Sequence, residues 1–109
     1  MHSGTLLAAL AWFYEPSVEN LRYIETEAKL AAKGADPLGA AEAEEVSLRE
    51  ALAQAKEEFE RSYAAYAASK SETDRSAEGH ALLALQSASM YLRAAMTAKE
   101  FVAAAVLAA

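Results

Sequence analysis

Cysteine is absent from this 109-residue chain, which excludes disulfides, thiolate nucleophiles and Cys-ligated metals. Breakers are scarce too, with four glycines and two prolines, so long uninterrupted elements are expected. Positive charge is in deficit. Ten Lys and Arg face sixteen Asp and Glu, a net charge of −6 that argues against nucleic acid or an anionic membrane as partner. Only two histidines are present, and His2 lies at a frayed terminus, which leaves His80 as the one credible general base. No H-x-x-x-H pair, Glu-x-x-His motif, phosphate loop or nucleophile elbow occurs, so the reading leans away from an enzyme.

Alanine supplies what is missing elsewhere. It fills 29 positions, whereas Leu, Ile, Val and Phe together fill 21, and apolar residues make up 54% of the chain. Such a composition is that of one folded domain whose core is short of bulky side chains. The interior either lets helix backbones approach closely or leaves room for a ligand. The apolar run Thr5–Tyr14 lacks the basic start and the small-residue cleavage site of a signal peptide, and is read as a buried helix. Polar residues interrupt every longer apolar stretch, so no membrane span is expected, and cytoplasmic placement is the default.

Periodicity is helical throughout. Val18, Leu21, Ile24, Ala28 and Ala31 share one face; Leu48, Leu52, Ala55, Phe59, Tyr63 and Tyr66 share another. Glu25–Lys29, Glu45–Arg49 and Glu57–Arg61 place an acid four residues before a base on outward faces. Gly34-Ala35-Asp36-Pro37 reads as a stop and a start: Gly34 for a left-handed cap, Asp36 as N-cap, Pro37 in the first turn. Ser71 with Asp74 resembles a capping box. Pro16 either kinks one helix or opens a second. The expectation is an all-α fold with helices at about 5–14, 16–33, 37–69 and 72–108. It is an antiparallel three-helix bundle with a kinked first helix, or a four-helix bundle with a short one.

The last segment, Ala81–Ala109, is apolar almost all round, with only Arg93, Lys99 and Glu100 charged. Something must cover it. On a helical wheel Gln86, Ser89, Arg93, Thr97 and Glu100 fall in one arc, either the solvent strip of a buried helix or a polar lining with Arg93 as an anion clamp. A second stripe holds His80, Ser87 and Tyr91, with Ala84, Ala94 and Ala98 beside them. Small residues around an imidazole would accommodate a flat macrocycle, with His80 as metal ligand to a haem. Trp12 or Tyr63 would close the opposite wall, and a kinked first helix would bring Trp12, Phe13 and Tyr14 near His80. Two function classes follow: a bundle that binds an apolar small molecule, or a scaffold that buries its last helix against copies of itself or a partner.

Two resemblances accompany this reading. The break at Pro16-Ser17, the run Ala-Lys-Leu-Ala-Ala-Lys-Gly-Ala-Asp at 28–36 and Ala98-Lys99-Glu100-Phe101-Val102 resemble the layout of lactose/cellobiose-type IIA proteins of the sugar phosphotransferase system. That family implies a trimerising three-helix fold. Its phosphoacceptor histidine is missing, since the corresponding region here reads Leu85-Gln86-Ser87-Ala88-Ser89-Met90, so its phosphotransfer does not carry over. Ala-rich helices, a compact Gly-Ala-Asp-Pro loop and Glu-to-Arg pairs also resemble de novo designed helical bundles. Such bundles imply an Ala-lined interior able to hold a cofactor.

Overall fold

A computed structural model describes residues 3–109; His2 lies outside the described residues. Four helices pack together: α1 (Ser3–Tyr14), α2 (Val18–Ala32), α3 (Pro37–Ser69) and α4 (Glu72–Ala108), with no strand among the described residues. Pro16 separates two helices rather than kinking one. Ser17 is extended and caps α2, its hydroxyl accepting from the Asn20 N–H at 3.1 Å. The Asn20 side-chain amide donates back to the carbonyls of Ala11 (3.3 Å) and Glu15 (2.8 Å), at the end of α1 where proline brings no N–H.

At the next break, Asp36 caps α3 as expected, accepting from the Gly39 N–H at 3.1 Å, with Pro37 in the first turn. Gly39 leaves room for that carboxylate, which a Cβ there would overlap. Gly34, however, does not take the left-handed conformation. Lys33 and Gly34 close α2 by donating to Leu30 and Ala31, a tighter three-residue turn. The left-handed residue is Lys70 (φ 56°), at the end of α3. Ser71 caps α4 through the Asp74 N–H (3.1 Å), but the reciprocal half of the capping box runs through Ser69. Ser69 accepts from the Ser71 N–H at 3.1 Å and its hydroxyl donates to the Asp74 carboxylate.

The two-residue turn Lys70-Ser71 folds α3 back along α4 as an antiparallel hairpin. One series of buried and half-buried positions runs the length of α3 at 41, 45, 48, 52, 55, 59, 62 and 66, and another along α4 at 74, 78, 81, 85, 88, 92, 95, 99 and 102. Alternating steps of four and three are the heptad spacing of a coiled-coil seam. Ser62 therefore occupies the seam position that the helical face would assign to Tyr63, which is 59% exposed. Apolar bulk in the seam comes from Leu48, Leu52, Phe59, Tyr66, Leu85, Leu92 and Val102, and the other apolar seam positions are alanines. Of the pairs expected on outward faces, Glu45–Arg49 forms (3.1 Å) with Glu45 half-buried, Arg61 turns to Glu58, and among the described residues Glu25 and Lys29 make no ion pair.

The α1–α2 hairpin packs on the far half of α4 only. Ala8, Ala9 and Ile24 form a buried cluster with Ala94 and Ala98, and Phe101 packs against it. Phe13 reaches Arg93, and Lys29 lies beside Ala105. Between residues 72 and 88 the helix packed against α4 is α3. The result is a slab of 58 × 28 × 15 Å, little thicker than one helix. Its radius of gyration is 17.3 Å, against about 13 Å for a compact domain of this length.

Candidate functional site

A cleft lies where α1 ends on the α3–α4 hairpin. Pro16 terminates α1 just beyond Phe13, so the ring projects over a groove that the short helix cannot continue to fill. Leu52 and Lys56 of α3 form one wall; Leu85, Gln86, Ser89, Met90 and Arg93 of α4 form the other. The cleft is an open groove of about 570 Å³. Leu52 and Leu85 are seam residues whose edges face the groove, because the seam buries them only partly. The Arg93 guanidinium stacks over the Phe13 ring at 5.1 Å, a cation–π contact that ties the end of α1 to α4. The cleft's charged residues, Lys56 and Arg93, are both cations.

Of the polar arc on α4, Gln86, Ser89 and Arg93 line this cleft. Thr97 and Glu100 lie further along the helix. The second stripe divides differently. Ala94 is fully buried beneath α1 and α2, in the cluster with Ala8, Ala9, Ile24 and Ala98. His80 and Ala84 precede the stretch of α4 that Phe13 reaches, Ser87 and Tyr91 lie outside the cleft lining on that stretch, and all four are exposed. Trp12 is half-buried, and Tyr63 is exposed on α3 with its ring 6.2 Å from that of Phe59. None of these seven residues lines the cleft. The aromatic end of α1 meets the middle of α4 rather than its beginning, about 20 Å along the axis from His80. An unkinked, separate α1 is the reason.

Phe13, Leu52, Lys56, Leu85 and Met90 complete the cleft without having been singled out as a site. Heptad spacing on both long helices would have nominated Leu52 and Leu85; Phe13 depends on where α1 stops. Among the described residues no group of three His, Asp or Glu side chains could hold a metal ion. No helix among them is long and apolar enough to cross a membrane.

Alongside the cleft, Lys99 bonds Glu42 and lies 3.6 Å from Glu45, which also holds Arg49. The hydrogen bond from Lys99 lowers the Glu42 pKa below the ordinary carboxylate value, and the same bond raises that of Lys99. These pairs fasten the covered half of the hairpin. Fold and cleft together define an all-α protein built on one long antiparallel hairpin, half of it covered by a second, shorter one. Comparison with protein-family profiles, with curated proteins and with solved structures gives no match, and the site is read from its own geometry.

Proposed function

We propose that the chain is a self-associating helical module whose uncovered α3–α4 end is completed by a second copy. The observation that carries this reading is surface area. The chain exposes 6887 Å², whereas a folded monomer of its 11.6 kDa mass is expected to expose about 5,800 Å². The excess, about 1,000 Å², is close to the ~800 Å² that each partner contributes to a standard interface. Bulky apolar side chains stand out of that end: Leu83 is 61% exposed, with Tyr63, Leu82 and Tyr91 also exposed. Sedimentation equilibrium across micromolar to millimolar concentrations tests it. The expected species has twice the chain mass, and Leu83→Glu returns it to monomer. A monomer at every concentration contradicts the proposal.

A second reading, small-molecule binding, is favoured by the cleft beneath Phe13. Its haem version through His80 asks more of the fold. His80, Ala84 and Ser87 face solvent, so a macrocycle lying on them needs its opposite wall from a second copy. Haemin titration tests that version: a saturable Soret shift lost in His80→Ala supports it, and equal binding by His80→Ala contradicts it.

A further inference from the structure

We infer that the cleft beneath Phe13 takes a small amphipathic carboxylate, an inference that rests on the small-molecule reading above. Acids outnumber bases sixteen to ten in this chain, yet among the described residues lining the cleft none is acidic and two are cations. Neither Lys56 nor Arg93 makes an ion pair among the described residues, so both charges are available to a ligand. For Arg93 the cause lies in the sequence. Its helical neighbours three and four residues away are Ser89, Met90, Met96 and Thr97, and no carboxylate is in reach along the helix. Lys56 stands on the opposite helix, so the two charges flank the groove from both walls.

Between them the floor is apolar, made by Leu52, Leu85, Met90 and the Phe13 ring. Gln86 and Ser89 supply neutral donors that a second carboxylate oxygen can accept from. The distance along α4 from Leu85 to Arg93 is about 12 Å, the length of a medium alkyl chain. The volume lies inside the ordinary range for small-ligand pockets. A headgroup at Arg93 would gain charge-assisted bonds while its apolar body runs along the exposed edge of the seam toward Lys56, whose charge adds to the attraction.

Calorimetric titration with decanoate, kept below its micelle-forming concentration, tests the assignment, with decanol as the uncharged control. Decanoate is expected to saturate at one equivalent and to bind at least tenfold more tightly than decanol. Lys56→Gln with Arg93→Gln should bring decanoate affinity down to the decanol affinity of the same variant, read as a ratio because Arg93→Gln also loosens the Phe13 contact. Ser89→Trp, which fills the groove and keeps both cations, should abolish binding of both. Equal affinity for decanol, or full decanoate affinity in the double variant, overturns the carboxylate assignment and leaves a neutral apolar cleft. Saturable binding that survives Ser89→Trp overturns the location. If neither amphiphile saturates, this inference and the small-molecule reading fail together.

Discussion

The two ends of the α3–α4 hairpin are built from similar sequence and end up in different surroundings. At the end that carries α1 and α2, Thr5, Ala8, Ala9, Ile24, Ala28, Ala41, Ala94, Ala95, Ala98 and Val102 are buried. At the other, between residues 55 and 88, only Ser62 and Ala81 are. Yet Leu82, Leu83 and Leu85 make α4 no less apolar there. What differs is cover: a 12-residue α1 is about 18 Å long, and α4 is about 56 Å. Apolarity in a sequence marks what needs covering; it does not say which chain supplies the cover.

The contrast sets an order of expected effects. Ile24→Ala removes a fully buried side chain from the covered end, with no second copy to compensate, and should cost about 2–4 kcal/mol in chemical denaturation. Leu83→Glu, at the uncovered end, should leave the stability of the dilute monomer within about 0.5 kcal/mol while weakening dimerisation at least tenfold by sedimentation. A loss in the monomer as large as that of Ile24→Ala would erase the distinction between the ends.

Caps sit between these extremes. Asp36→Ala and Ser71→Ala each remove a side-chain acceptor from a helix start and should cost about 1 kcal/mol, read from the denaturation midpoint. Smallest is the pH response of the Lys99–Glu42 pair. Because Glu42 titrates lower in the folded chain, its contribution is present above the ordinary carboxylate pKa and is lost as pH falls through the lowered value. Because Lys99 titrates higher, its contribution is present below the ordinary lysine pKa and is lost as pH rises through the raised one. Glu42 is exposed and Lys99 half-buried, with the pair open to solvent and salt, so Glu42→Gln should flatten only a shallow slope in midpoint against pH.

Local chemistry was the most legible part of the fold. Asp36-Pro37 and the Ser71 cap lie within one turn of what they satisfy, and no distant contact competes with them. Pro16 was legible only as a break. Its outcome rests on Ser17 and Asn20, which supply a start for α2 and an end for α1 within four residues. Tyr63 was misplaced because its face was counted at 3.6 residues per turn, whereas the seam with α4 runs at 3.5 and brings Ser62 inward. Gln86, Ser89 and Arg93 were visible as one arc because a single helix carries them. Phe13 and Lys56 join them across two further helices, and no periodicity within one element reports that register. The His80 stripe was legible as a stripe, but its halves part company where α1 stops.

Hydrogen exchange at two protein concentrations tests the central claim most directly. If a second copy covers the far end of the hairpin, amides between residues 55 and 88 should exchange quickly in dilute solution and slow by at least tenfold when concentrated, while those of α1 and α2 stay unchanged. Exchange in that segment that is independent of concentration would contradict the claim.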